Sequence, residues 1–553
     1  MKNLKYVFVV LLSFAFNAIV NGQSLPVGSI GLEDYYRRAQ LLGKLDSTIS
    51  FTIRPLMLDP DSTEIRHNLL DLRSAWKSKD GKLNAMLLPL NFQTQVNSHH
   101  PYGWNDGAMI PAKGPQMLLS AGIYTAYGPL TIQFRPELVI AANTWFDTFD
   151  KDHYGVIVAR YYDFYNNIDL PARFGKKQYN RAYWGQSSIR LNYKNWSFGL
   201  STENLWWGPG MRNSLLMSNT APGFKHLTLN TRKPISTAIG SFEGQIIAGR
   251  LENSGFGVLQ PEREYFNESL FVPKPNDWRY LAGLAATWQP KWVPGLFLGL
   301  TRSAQNYAGG LNKFSDYLPF FSSKKQVTAD EAISKRDQRN SYFMRWIWPE
   351  EHAEVYFEFG RNNYSGDLKD LSLEPEVSRA YIFGVRKLFP FGKREQENLM
   401  LSVEVAQMQE TSIEKVMNLD SWYTSKNIRH GYTNRGELLG AGIGPGGNMQ
   451  SLDVSWVKGL KRLGLQLERF VHNNDFYYYA YFDSKDYRRH WTDLSIGASG
   501  EWNYKNLIFN AKLQGIKSLN YQWYLLQTAD QPYMTPGRDA FNLQVQAGLT
   551  YRF

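Results

Sequence analysis

From Phe541 to Phe553 the chain alternates without a break. Phe541, Leu543, Val545, Ala547, Leu549, Tyr551 and Phe553 fall on one side, and Asn542, Gln544, Gln546, Thr550 and Arg552 on the other. A period of two belongs to a strand with unlike faces, because successive side chains leave a strand in opposite directions. The same period runs through Met86, Leu88, Leu90, Phe92 and Val96. It recurs where Leu130, Ile132, Phe134, Leu138 and Ile140 alternate with Thr131, Gln133, Arg135 and Glu137. About eighteen such segments can be counted, and their connections alternate in length. Tight links fall at Tyr127–Pro129, Lys194-Asn195, Lys233–Ser241, Pro290–Gly295, Pro349–His352, Phe389–Asn398, Lys458–Lys461 and Tyr504-Lys505. Long links lie between them: one after the first strand, Asn143–Gln186, Glu252–Trp278, Ala304–Asn340, Gln409–Asn448, His472–Trp491 and Ser518–Asp539. Apolar-out, polar-in strands joined by alternately short and long links define an all-β transmembrane barrel of about 18 antiparallel strands. Short turns face the periplasm in such barrels and long loops face outward. An even strand number returns both barrel ends to the periplasm.

The remaining composition agrees. Aromatics are 15% of the 553 residues, mean hydropathy is -0.41, and no run of 18 apolar residues follows the first 25, so helical spans are excluded. Residues 1–22 read as a signal peptide: Lys2 and Lys5, the apolar run Tyr6–Val20, then Asn21-Gly22, with cleavage expected before Gln23. There is no cysteine, hence no disulfide framework, no thiolate chemistry and no lipid-anchored N-terminus. This is the profile of an outer-membrane protein of a Gram-negative bacterium. The net charge of +11 would suit nucleic acid. Export turns that reading toward an acidic polymer or lipopolysaccharide instead.

Residues 23–83 read as a small helical unit, too small to bury a core alone and expected at the periplasmic end of the barrel, which fills 84–553. Leu32, Tyr35, Ala39, Leu42 and Leu45 share a face of a helix over Ser29–Leu45, with Glu33 and Asp34 in its first turn. Ile49–Pro55 alternates and then breaks. Asp61-Ser62-Thr63-Glu64 resembles a capping box before Ile65, Leu69, Leu72 and Trp76, predicting a second helix up to Gly81. Connections as long as Asn143–Gln186 are rare without a function, and inward folding to plug a wide lumen would explain them.

The stretch Asn204–His226 carries the densest set of candidate site residues. Trp206 and Trp207 precede the turn Gly208-Pro209-Gly210, Arg212, Asn213, Ser214, Ser218 and Asn219 follow, and Ala221-Pro222-Gly223 closes it. Indoles cover the C–H face of a sugar ring while amides and a guanidinium reach hydroxyls or carboxylates. Asn204, Trp206, Trp207, Arg212, Asn213 and Asn219 are therefore the candidate carbohydrate-binding residues. The alternative is that the two indoles belong to an interfacial aromatic belt. The position of the stretch among the long connections places it on the outer face or in the outer mouth.

The segment Leu205–Phe224 resembles the signature of the Wzi family of outer-membrane capsule-assembly proteins, and the order of parts is similar over essentially the whole mature chain. The resemblance implies a surface lectin that binds exported capsular polysaccharide and holds it on the cell, without polymerising or exporting it. It further implies a helical unit at the periplasmic end and extracellular loops that obstruct the barrel. The partners expected are capsular or other surface polysaccharide, outer-membrane lipid and lipopolysaccharide, and possible contact with the export machinery, for a monomer with no nucleic acid, cofactor or metal.

Two rival classes make other demands on the residues. A barrel lipid hydrolase needs a nucleophile, a base and an orienting group. Nine histidines are present, but no serine motif accompanies His99-His100, which reads as a pair of solvated loop histidines and lacks a third ligand for a metal. Glu350-Glu351 sits in a Pro-led turn and reads as solvated rather than as glycosidase carboxylates. Phe476–Tyr481, before Arg488-Arg489, reads equally as a second sugar platform or as girdle. A sugar porin shares the strand count and aromatic richness, and an open lumen would distinguish it.

Overall fold

The structure is a computed structural model, and it describes residues 23–29, 31–58, 74–149, 153–319, 336–362, 378–391, 397–410, 420–481, 490–524 and 539–553. An antiparallel barrel of 18 strands closes on itself. Its first strand, Leu83–Asn97, pairs with its last, Ala540–Tyr551, from Gln544↔Asn97 to Tyr551↔Leu90. Below that seam the first strand's edge is covered by Ser74–Lys77, paired to Asn84–Met86. Trp76 thus lies in a strand, not in the helix that its spacing predicts. The open edge of the first strand supplies hydrogen bonds that outweigh local propensity. The capping-box residues and the signal segment lie outside the described residues.

The turns that the alternation requires are present. Tyr127 and Leu130 close one hairpin and Lys458 and Lys461 another. Gly128 and Gly459 there adopt φ values of 54° and 56°, which suit glycine. Two wall strands are interrupted at prolines, Pro136 between Leu130–Phe134 and Glu137–Ala141, and Pro234 between Lys225–Thr231 and Ile235–Thr237. The two faces separate as the pattern demands. Phe541, Leu543, Val545 and Tyr551 are exposed on the outside, with Leu119, Ile123, Leu191, Phe198 and Leu227, while Asn542 and Gln544 are buried within. The outer face is an apolar band and the lumen is polar and charged, with Arg279, Arg339, Arg345, Glu354 and Glu358 all buried there.

Chain fills the lumen from both ends. From the short-turn end enters α1 (Leu32–Leu41), shorter than its apolar spacing suggests. Gly31 and Gly43, at φ 85° and 68°, bracket it. Leu41 packs with Phe297, Ile347, Leu388, Met400 and Val457, all near short-turn ends of wall strands. Charge anchors α1 more specifically. Arg37 Nε donates to Glu354 at 2.8 Å, and Arg345 Nε donates to the same carboxylate at 2.8 Å. Arg386 reaches both Glu354 and Asp34. Against the cost of burial, Arg386 and Arg38 hold the Asp34 carboxyl well below the usual carboxylate range. From the long-connection end descend residues 202–224 and 420–447, whose Trp207, Leu215, Leu216, Met217, Trp422, Tyr423 and Tyr432 form the largest apolar cluster.

Candidate functional site

The Trp-Trp stretch is not at the outer surface. It turns inward after Ser201 and runs down to mid-barrel, where Trp206–Trp207 pair antiparallel with Ile53–Arg54 of the N-terminal unit. Trp207 is 0% exposed. Its Nε1 donates to Gln245 Oε1 at 2.8 Å, and its ring tip lies where a Cβ on Gly283 would stand, at 2.5 Å. Trp206 is also buried, with the Arg54 guanidinium 4.5 Å from its ring centroid. These indoles join no interfacial belt, and in this conformation neither offers a free face to a sugar ring.

The polar members of the stretch are anchored as firmly. Asn204 Nδ2 donates to Asn219 Oδ1 at 2.7 Å and to the Ala221 carbonyl at 3.0 Å. Asn219 Nδ2 in turn donates to the Asn105 carbonyl at 2.9 Å. Asn213 Nδ2 donates to Glu404 at 3.0 Å, and the same carboxylate accepts the backbone N–H of Met211 and of Arg212. Glu404 therefore caps the Gly-Pro-Gly turn from the barrel wall. Arg212 alone of the six candidates keeps appreciable exposure, 30% of its side chain. Its Nη2 donates to Glu468 at 2.5 Å and its guanidinium lies over the Trp104 ring at 5.6 Å.

Two cavities adjoin this floor. The inner one, about 310 Å³, is bordered by Trp206, Arg212, Asp106, Asn219, Arg462 and Lys512. Burial pushes the Asp106 carboxyl up to about 7, against the pull of Lys512 and Arg212. The second cavity, about 260 Å³, lies among the long connections at the mouth. Tyr102, Trp104, Phe149, Tyr161, Phe470, Trp491, Tyr521 and Trp523 line it, beside His472, Asn473 and Glu437. Tyr102, Gly103 and Trp104 border both cavities and so divide them. The rings are fixed by one another: His472 stacks on Trp491 at 3.7 Å and its Nε2 donates to the Asp493 carboxylate at 2.7 Å, while Phe149 stacks on Tyr161 at 4.2 Å. Flat apolar faces beside amides and carboxylates are what a carbohydrate requires.

None of these mouth residues was singled out from sequence as a sugar site. The signal was there in Pro101-Tyr102-Gly103-Trp104, a turn with two aromatics, and in Trp491 and Tyr521–Trp523 at the ends of long connections. Phe476–Tyr481 proves to be mostly helix, Asn474–Ala480, whose Phe476, Tyr477 and Tyr481 pack inward with Trp523, so it is no girdle. Arg488-Arg489 lies outside the described residues. Of His99-His100, His99 is half-buried and only His100 is withdrawn from solvent. His100 is buried against Tyr521 at 4.7 Å, and burial pulls its imidazole down to about 4. Ser518 Oγ lies 3.3 Å from His100 Nε2, but Ser518 is fully buried and donates to Asp493 at 2.5 Å, an order opposite to that of a nucleophile and its base. Glu351 is exposed and pairs with Lys387 at 3.2 Å.

A closed barrel with an apolar outer band and a lumen filled from both ends is an obstructed outer-membrane β-barrel. Residues 111–513 match the family described as capsule assembly protein Wzi, and the chain belongs to that family. Among solved structures it is similar to Escherichia coli Wzi, described as an outer-membrane, carbohydrate-binding β-barrel involved in group 1 capsule assembly. That similarity has 13% identity and a TM-score of 0.59, over 96% of this chain and 100% of that one. OccAB2 of Acinetobacter baumannii is similar at 11% identity and TM-score 0.39, over 84% of this chain and 98% of that one. OccK7 of Pseudomonas aeruginosa is similar at 9% and 0.37, over 84% and 98%. No curated protein sequence matches.

Proposed function

We propose that this protein binds exported capsular polysaccharide at the cell surface, and helps attach it there, by taking sugar rings into the aromatic mouth cavity. The observation that carries the reading is that cavity: Trp104, Trp491 and Tyr521 with Asn473 and Glu437, open among the long connections of a family member whose lumen is obstructed. The stretch 204–219 acts from below. Arg212 sets the Trp104 ring by its cation contact, and Asn204, Trp206, Trp207, Asn213 and Asn219 hold the floor on which Arg212 stands. The role is binding without catalysis, and the buried Ser518 supports that choice over a hydrolase. An obstructed lumen favours it over a porin.

The test is affinity electrophoresis of the full detergent-extracted chain through gels containing capsular polysaccharide from the same cells. Wild type should be retarded by the polymer, and Trp491→Ala should be retarded less. Equal mobility of wild type with and without polymer would sink the reading.

A further inference from the structure

The barrel wall has a gap in its outer half. Among the described strands, Tyr179–Tyr183 pairs only with Glu137–Ala141, so its other edge is unpaired. The neighbouring wall strand, Trp196–Ser201, ends where the chain dives into the lumen, and the wall resumes at Lys225. A cleft of about 140 Å³ remains, bounded by Tyr183 and Trp184 on one side and by Lys225, Arg250 and Arg435 on the other.

The charges at this cleft are arranged at a cost. Lys225 and Arg250 are direct cross-strand partners, and both are exposed, Arg250 over 51% of its side chain. Cross-strand partners stand about 5 Å apart at Cβ, and like charges there repel. Lys225 has no ion-pair partner among the described residues. Glu252 is 3.9 Å from Arg250 but its other oxygen is taken by Arg435, so one carboxylate serves two cations and leaves Lys225 unpaired among the described residues. Two and four residues further along the strand of Lys225, the outward side chains are Leu227 and Leu229, both exposed to the apolar band. Trp184, 62% exposed, stands across the cleft. Cations at the top of an apolar band, beside an exposed indole, match in order the phosphate and acyl chains of a lipid in the outer leaflet.

We propose that this lateral cleft binds the phosphate headgroup of an outer-leaflet lipid, between Lys225 and Arg250, with an acyl chain along Leu227 and Leu229. The anion would relieve the cross-strand repulsion, and it would fix the barrel's rotation and depth in the leaflet. The site is distinct from the mouth cavity, and its test is independent of sugar binding.

Native mass spectrometry of the full detergent-extracted chain with added bis-phosphorylated lipid A should show a one-to-one adduct. Dephosphorylated lipid A of the same acyl composition should bind at least about tenfold less, given the strength of charge-assisted contacts, and excess inorganic phosphate should not displace the adduct. The double variant Lys225→Gln, Arg250→Gln changes only outward, exposed side chains, and its heat-dependent gel shift will report an intact barrel. It should lose the adduct by a similar factor. Equal binding of the two lipids by wild type would overturn the proposal without recourse to any variant. An undiminished adduct in a folded double variant would overturn it too, as would displacement by phosphate alone, which would mark a free-anion site.

Discussion

Arg37 Nη1 donates to the carbonyl of Pro209 at 2.7 Å, and this bond joins the two halves of the plug. Arg37 belongs to the helix that enters from the short-turn end, and Pro209 to the turn that descends from the opposite mouth. Arg54 repeats the join, donating to the Gly210 carbonyl at 3.2 Å. Both arginines also have acidic partners, Glu354 and Glu33. The floor beneath the mouth cavity is thus held from below by the N-terminal unit. A change at the short-turn end can be felt by residues that shape the mouth.

Glu354→Gln should release that hold. One carboxylate serves Arg37, Arg345 and Arg386, all fully buried, and its neutralisation leaves three cations in a dry site. Breaking a buried ion pair in this way costs about 3–5 kcal/mol. Tryptic cleavage at Arg37 and Arg38 should then begin at lower urea than in wild type, while the heat-dependent gel shift of the barrel is kept. Cleavage at unchanged urea would show that Asp34 and the apolar contacts of Leu41 suffice.

Trp207→Ala should loosen the plug from the other side. The indole fills space left by Gly283 and satisfies Gln245, so its loss leaves a cavity worth about 3–5 kcal/mol. Limited proteolysis within 202–224 should become fast in a barrel that still migrates as folded. Trp207→Phe should recover most of the protection, since it restores ring volume but not the hydrogen bond.

The barrel could be read from sequence because its signal is local. Phe541 through Phe553 declare their two faces without reference to any other segment, and Tyr127–Pro129 and Tyr504-Lys505 declare turns by length alone. That long connections fold inward as a plug follows from their length, but the contacts of the plug are not legible, because they join residues far apart in the chain. Nothing near Trp206 shows that Ile53 and Arg54 will pair with it. Nothing near Trp76 shows that it will cover the seam below Tyr551 rather than continue a helix. Trp206-Trp207 stands out by its aromatic content, but an indole that fits beside Gly283 and one that fits a sugar have the same letters. The mouth cavity draws Trp104, Trp491 and Tyr521 from three connections, and only the closed barrel brings those together.

Asp106 predicts a pH dependence. Its carboxyl is raised in the folded protein, so the folded state takes up a proton more readily than the unfolded chain. The stability this contributes is fully present below about pH 4 and is lost as pH rises through about 7. His100 acts in the opposite sense, since its lowered imidazole destabilises the fold as pH falls from the ordinary histidine value toward about 4. The two are separated by comparing wild type with Asp106→Asn, because the His100 contribution is common to both. The urea midpoint of wild type relative to that variant should be higher at pH 5 than at pH 8. A difference that does not change with pH would mean that Lys512 and Arg212 keep the carboxyl ionised throughout.

The mouth aromatics give the prediction closest to the proposed role. A sugar ring stacked on one aromatic gains only on the order of 1 kcal/mol, by analogy with aromatic pairs. Trp491→Ala should therefore weaken binding of a short oligosaccharide by about fivefold, and adding Tyr521→Ala by several-fold more. A polymer presents many repeats to many barrels on one cell, so small losses per site multiply in its retention. Cells carrying the double variant should release most of their capsular polymer into the medium, measured as uronic acid or total hexose after gentle washing. Trp491 is partly exposed and packs edge-on against Tyr521 at 5.2 Å, so removing both leaves the wall strands and the Trp207 cluster intact. The barrel should reach the outer membrane at wild-type level with its gel shift preserved. Wild-type retention of polymer by such cells would place the sugar elsewhere than the mouth cavity.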